Sequence, residues 1–185
     1  MCSSMIFQLL ENLIILLIRL YQAKEEVMVN YSKSICSSIT VETQKSPDFA
    51  AIRTLLEPVS NLYPNFDSWF DFRFRRNFKS GERIVITAVY DSKIIGVALL
   101  KKTDVEHKIC TLFVTKEARG QGTGSILLDK AIDVIHGNNI GISVAEERHS
   151  ALQGLLVKRG FVLVSAEPNY YRNNVTEFFY ELKTR

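Results

Sequence analysis

The chain has 185 residues, 46% of them hydrophobic and 23% charged, with a net charge of +3. This length and apolar content suit one domain with a sizeable core, and the charge is too mild for bulk nucleic-acid binding. Cys2, Cys36 and Cys110 are far apart and outside C-x-x-C spacing, which favours neither a disulfide framework nor a zinc site and makes a reducing cytoplasm the expected location.

Residues 5 to 20, MIFQLLENLIILLIRL, are apolar apart from Gln8, Glu11, Asn12 and Arg19. Glu11 near the middle, and a run shorter than about 18 uninterrupted apolar residues, argue against a membrane span. A secretory signal would need a positive region ahead of the run and a small-residue cleavage site after it. Three readings stay open: a helix packing on the domain or on a partner, a membrane-surface helix, and translated sequence ahead of a start at Met28. The expected division is an extension over 1–27 and a domain over 28–185.

Residues 37 to 43 read as a first strand, and Ser46-Pro47-Asp48 as a helix start. The helix FAAIRTLLEPV that follows places Phe49, Ile52, Leu55 and Leu56 on one side and is limited by Pro58. The segment NFDSWFDFRFRRNF carries Phe66, Phe70, Phe74 and Phe78 at steps of four, which predicts an amphipathic helix with Asp67, Asp71, Arg75 and Arg76 on its other face. From Gly81 the period changes, and RIVITAVY and KIIGVALLKK form a hairpin about Asp91-Ser92-Lys93. HKICTLFVT, residues 107 to 115, is the next strand. A helix then turns Leu127, Leu128, Ala131 and Ile135 inward and ends on Gly137 as a left-handed cap. Residues 140 to 145 form a strand, Glu146 to Ser150 a loop, and ALQGLLVKR a helix stopped by Gly160. Strands over 161–165 and 175–182 close a mixed α/β sheet in one layered domain.

The most informative stretch is LFVTKEARGQGTGSILL, residues 112 to 128. A strand runs into an arginine, three glycines at alternate positions and a helix, an order that lets backbone N–H groups converge on a phosphate. A nucleoside-triphosphate loop would need Gly-Lys-Ser/Thr, but Gly124 is followed by Ser125 and Ile126. A dinucleotide loop would need G-x-G-x-x-G near the start of a βαβ unit. The sequence Arg119-Gly120-Gln121-Gly122-Thr123-Gly124 instead resembles the Arg/Gln-x-x-Gly-x-Gly/Ala pyrophosphate loop of the GNAT N-acetyltransferase superfamily.

That resemblance implies an acyl-CoA N-acyltransferase fold, with a mostly antiparallel, splayed central sheet flanked by helices, and acetyl-CoA as co-substrate. It places the pantetheine arm along the backbone of Leu112, Phe113 and Val114, and the pyrophosphate over Arg119 to Gly124 with Ser125 adding a hydroxyl. It implies direct acetyl transfer to the primary amine of a small molecule or protein, by a monomer or homodimer without an integral span. The family usually has an Asn at the position of His149, a further cofactor contact, and a Tyr at the position of Leu156. Leucine cannot protonate a leaving thiolate, so Tyr171, Tyr170 or His149 is the substitute donor. Glu146 and Glu147, just past a strand end, are the carboxylates placed to serve as base, and Glu117 lies closer to the loop. Cys110 reads as a structural thiol, and no ligand cluster supports a metal.

Two rivals remain. One is a non-catalytic acyl-CoA-binding regulatory module, motivated by Leu156. The other is a toxin acetylating aminoacyl-tRNA, motivated by Arg73, Arg75, Arg76 and Lys79 on the aromatic helix; apart from such a tRNA, no nucleic-acid partner is expected.

Overall fold

The structure, a computed structural model, describes residues 14, 16–27, 38–137 and 139–183. It divides into two units, 1–38 and 39–185. In the first, residues 16–27 are helical, while residues 5–13 and 15 of the apolar run, Met28, Cys2 and Cys36 lie outside the described residues. No helix among the described residues is long and apolar enough to cross a membrane.

The second unit runs β1 (Thr40–Thr43), α1 (Phe49–Leu55), α2 (Glu57–Ser60), α3 (Phe66–Trp69) continued by a π-helical turn (Phe70–Arg75), β2 (Arg83–Tyr90), β3 (Lys93–Lys102) and β4 (His107–Val114). It continues through a 3-10 turn (Lys116–Ala118), α4 (Thr123–Ile135), β5 (Asn139–Ala145), α5 (Glu146–Val157), β6 (Val162–Pro168) and β7 (Thr176–Lys183). The strands form one sheet in the order β1-β2-β3-β4-β5-β7-β6. Every neighbouring pair is antiparallel except β4 and β5.

Each face of the sheet buries its own core. On one, Leu127, Leu128, Ala131 and Ile135 of α4 are fully buried against Ala98, Leu100, Ile109 and Ile142, with Leu156 of α5 beside them. Each such leucine contributes about 1.5–3 kcal/mol of burial. On the other, Ile52, Leu56, Phe66, Phe70 and Phe74 pack on Val85, Val97, Leu99 and Phe113.

Several elements differ from the sequence expectation, each for a local reason. The helix over 49–59 breaks in two, because Pro58 sits in the first turn of α2 and starts it instead of merely ending α1. The aromatic helix is α-helical for one turn and then π-helical. A four-residue step overshoots a turn of α-helix and undershoots a turn of π-helix, so the mixture keeps residues four apart in line. Phe66 and Phe70 accordingly stack with ring centroids 6.1 Å apart, and Phe70 and Phe74 at 6.2 Å. At the end of α4 the left-handed residue is His136 (φ 44°), not Gly137. Gly137 is needed for space, since a Cβ there would lie 2.4 Å from Nδ1 of His107. The segment Glu146–Ser150 is not a loop but the start of α5, where two glutamates in the first turn favour the helix dipole.

Candidate functional site

β4 delivers the glycine run to the head of α4. Gly120 (φ 76°) and Gly122 (φ 85°) both hold left-handed backbone, which a side chain disfavours. Gly122 is the N-cap of α4 and supplies no side-chain cap. The first bond into the helix runs from Ile126 N–H to the Gly122 carbonyl at 3.1 Å. The amides of Thr123, Gly124 and Ser125 are therefore the orphan donors of the helix start, reinforced by its dipole. Thr123 is buried, its hydroxyl donating to the Ala118 carbonyl at 3.2 Å, so its side chain braces the loop. Gln121 does the same from outside, Nε2 donating to the Glu117 carbonyl at 3.0 Å. Gly124 is helical, and a Cβ on it would meet nothing closer than 3.8 Å, so only two of the three glycines are demanded by conformation.

Arg119 is exposed and bends back toward β4. Its Nε donates to the Val114 carbonyl at 3.1 Å, with the guanidinium 6.0 Å from the Phe113 ring centroid. Its terminal nitrogens remain for an anion beside the loop. Ser125 is fixed from behind, its carbonyl accepting from Arg159 Nη2 at 3.2 Å while Arg159 also pairs with Asp129.

Next to this loop the sheet opens. β4 and β5 are paired only from His107–Ile109 to Ile140–Ile142, and both strands run on without each other. Thr115 N–H bonds to the Ile95 carbonyl, which sets the alternation of the β3–β4 ladder. Phe113 turns its backbone groups toward β3, its carbonyl 3.0 Å from where a Cβ on Gly96 would stand. Leu112 and Val114 turn theirs into the opening. An unpaired strand edge beside a phosphate cradle fits a linear amide chain ending in a pyrophosphate, the chemistry of coenzyme A.

Across the opening lies a polar cluster in which Glu177 is buried, Tyr63, Ser143 and Arg172 are half-buried, and Tyr170 and Tyr171 are exposed. Glu177 of β7 stands opposite Ala145, at the end of β5, and is only 3% exposed. Tyr63, from the loop before α3, donates its hydroxyl to the Glu177 carboxylate oxygens at 3.2 and 3.4 Å, and the Ser143 side chain lies beside both this carboxylate and the Tyr171 phenol. Burial pushes the Glu177 carboxyl above its ordinary value, against smaller opposing pulls from Ser143, Tyr63, Lys108 and Arg172. Burial, with the carboxylate beside it, also raises the Tyr63 phenol. Tyr171 meets Tyr63 edge-on at 5.6 Å and Tyr170 at 4.6 Å; its phenol is raised by partial burial, although the residue is 43% exposed. Arg172 lies 5.7 Å from the Tyr63 ring centroid.

The residues singled out in the sequence occupy different surroundings. Tyr171 belongs to this cluster. Glu147 is exposed and gives both oxygens to Arg172, at 2.7 Å each, which holds its carboxyl below the usual range. Glu146 accepts from Thr176 N–H at 2.9 Å. His149 stacks on Phe178 with ring centroids 3.7 Å apart, and its Nε2 is 2.7 Å from the Tyr180 hydroxyl. Leu156 is fully buried in the core. Burial pushes the Cys110 thiol up to about 11, which leaves it a poor nucleophile. The basic helix face flanks an open cleft of about 600 Å³ lined by Arg53, Asp71, Phe72, Arg75, Arg76 and Lys79. Arg53 there pairs with Asp67 and Asp71, and Arg75 stands 5.7 Å from the Phe49 ring centroid. Among the described residues, no group of three or more His, Cys, Asp or Glu is arranged to hold a metal ion.

Tyr63, Ser143 and Glu177 escape a reading of the sequence. In TEFFYELK the alternation puts Glu177, Phe179 and Glu181 on one face, and nothing local separates Glu177 from Glu181. Only the pairing of β7 with the far end of β5 does so.

Comparison with known proteins agrees with this architecture. The model of the acetyltransferase (GNAT) domain matches residues 65–184. The NatC complex bound to Gag peptide and CoA contains a chain of similar fold, with a TM-score of 0.65 at 21% identity over 80% of this chain and 99% of that one. A GNAT family acetyltransferase from Elizabethkingia anophelis, with acetyl-CoA bound, has a TM-score of 0.61 at 16% identity over 80% and 99%. A GNAT family acetyltransferase from Bacillus cereus has a TM-score of 0.63 at 17% identity over 80% and 98%. No curated protein sequence is significantly similar to the chain.

Proposed function

Since this chain belongs to the GNAT acetyltransferase family and so has acetyl-CoA as its co-substrate, we propose that it moves the acetyl group directly to the nitrogen of a primary amine on a small molecule or protein. The observation that carries the reading is the juxtaposition at one opening of the sheet. The anion cradle of α4 and the unpaired edge of β4 lie on one side, and the cluster about the buried Glu177 on the other. A carboxylate facing the reaction centre suits an acceptor that arrives as a cation.

Arg119 and the amides from Gly120 to Ser125 hold the pyrophosphate, and the backbone of Leu112 and Val114 pairs with the amide chain. The amine lone pair forms a bond to the acetyl carbonyl carbon, the C–S bond breaks with its electrons going to sulfur, and sulfur is protonated. Tyr171, at the edge of this cluster and protonated at neutral pH as any phenol is, supplies that proton. Glu146, Glu147 and His149 are assigned to fastening the start of α5 against β7 and the β6–β7 turn. A thiol of ordinary pKa about 8.5 is a tolerable leaving group, so Leu156 in place of the family tyrosine slows transfer without forbidding it.

The test is calorimetry of the full chain with acetyl-CoA, followed by thiol release across a panel of amines and peptides. Binding with thiol release supports the proposal. Binding without release on any acceptor favours the regulatory module, for which Leu156 is the specific observation. No binding by the folded chain contradicts both.

A further inference from the structure

Resting on the acetyltransferase reading, we propose that Glu177 is the group that receives the acceptor's ammonium and takes its proton, with Tyr63 and Ser143 as positioning residues. The carboxylate is almost wholly buried at the strand end beside the opening, and the Tyr63 hydroxyl holds it, with the Ser143 side chain beside it. Among the described residues it has no cation partner. Arg172 is paired with Glu147, and it and Lys108 pull on Glu177 without forming an ion pair with it. A buried carboxylate without a cation is costly and contributes little to the fold that an amide would not. A site that brings its own cation, as an amine substrate does, resolves that cost.

Among the described residues, the groups that face Glu177 come from several surrounding elements. They are Tyr63 from the loop before α3, Ser143 from β5, Lys108 from β4, and Tyr171 and Arg172 from the turn between β6 and β7. The Tyr63 hydroxyl orients the carboxylate, and Tyr171 and Tyr170, both still exposed, flank Tyr63 on the solvent side. Burial of the Glu177 carboxylate brings an ammonium–carboxylate pair closer in energy to the neutral amine and carboxylic acid. An N–H bond of the ammonium breaks with its electrons remaining on nitrogen, and the proton passes to a Glu177 oxygen. The freed lone pair attacks the acetyl carbonyl carbon. The nitrogen then loses a second proton, and the departing sulfur gains one. Ammonium and thioester thus become amide, thiol and one released proton.

The test needs no knowledge of the natural acceptor. Two coenzyme A thioethers, S-ethyl and S-(2-aminoethyl), differ by an ammonium placed just beyond the sulfur. Calorimetry at pH 8 is expected to show the aminoethyl probe binding at least roughly tenfold tighter than the ethyl probe. Glu177→Gln is expected to bring that ratio to about one while leaving the ethyl probe's affinity unchanged. In the unaltered chain the ratio should collapse on acidification, with a midpoint above the ordinary carboxyl value of 4.5, and Tyr63→Phe should move that midpoint higher. The unaltered chain's titration decides the matter should Glu177→Gln not fold. A ratio near one in the unaltered chain at pH 8, or a ratio that survives Glu177→Gln, overturns the proposal. Failure of both probes to bind overturns the acetyl-CoA reading beneath it.

Discussion

The loop proposed to hold the cofactor and the cluster proposed to receive the acceptor flank the same opening of the sheet but are built in opposite ways. Arg119 to Ser125 are consecutive residues whose chemistry comes from backbone amides, so a short string of glycines specifies them. Tyr63, Ser143, Tyr171 and Glu177 come from four segments, with Tyr63 and Glu177 separated by 114 positions, and their chemistry comes from side chains that meet only once β5 and β7 are in register. A site made of contiguous backbone can be altered by a single conformational change in the chain. A site made of convergent side chains fails one function at a time. Mutations on the two sides should therefore separate binding from transfer.

The largest separation is expected at Glu177. Once an acceptor is in hand, Glu177→Gln should slow transfer by about 10²- to 10⁴-fold, the usual worth of a positioned base, while calorimetry shows acetyl-CoA affinity intact. A parallel loss of affinity would mean that the two sides are one unit. The converse change is Gly122→Val. A β-branched residue at φ 85° costs about 1–3 kcal/mol of backbone strain, so acetyl-CoA affinity should fall roughly ten- to a hundredfold if the loop shifts to relieve it. Unchanged affinity in a folded Gly122→Val would break the assignment of the loop.

The smallest effect is on stability and distinguishes a functional carboxylate from a structural one. A carboxyl whose folded-state value is raised above its unfolded value gives stability that is present below the unfolded value and lost as pH rises through the folded one. Glu177 is raised by burial, so its ionisation works against the fold at neutral and alkaline pH. Denaturant midpoints for Glu177→Gln relative to the unaltered chain should be more favourable at pH 8 than at pH 4. The opposite ordering would mean that the ionised group stabilises the native state.

The same contrast explains what could be read from the residues alone. The glycine run, the strand before it and the inward stripe Leu127, Leu128, Ala131 and Ile135 were legible because each is a local pattern with a period or a backbone demand. The π-helical turn was hidden because steps of four satisfy an α-helical reading as well. The start of α5 at Glu146 was hidden because charged residues after a strand resemble a loop until the helix is seen to begin without a side-chain cap. Glu146 and Glu147 are the carboxylates nearest the strand end in sequence, yet Glu146 accepts from the start of β7 and Glu147 pairs with Arg172, while the buried carboxylate arrives from a strand some thirty positions later. Tyr171 was visible as a tyrosine pair in a turn, but its neighbour Tyr63 belongs to a loop more than a hundred positions earlier.

Hydrogen exchange of the full chain, with and without acetyl-CoA, tests the central claim most directly. Orphan amides at a helix start and an unpaired strand edge are solvated until a ligand accepts from them. The account predicts slowed exchange on adding acetyl-CoA at the amides from Gly120 to Ser125 and at Leu112 and Val114, with Phe113, already turned toward β3, changing least. Protection that appears elsewhere while Gly120 to Ser125 stays unchanged would contradict it.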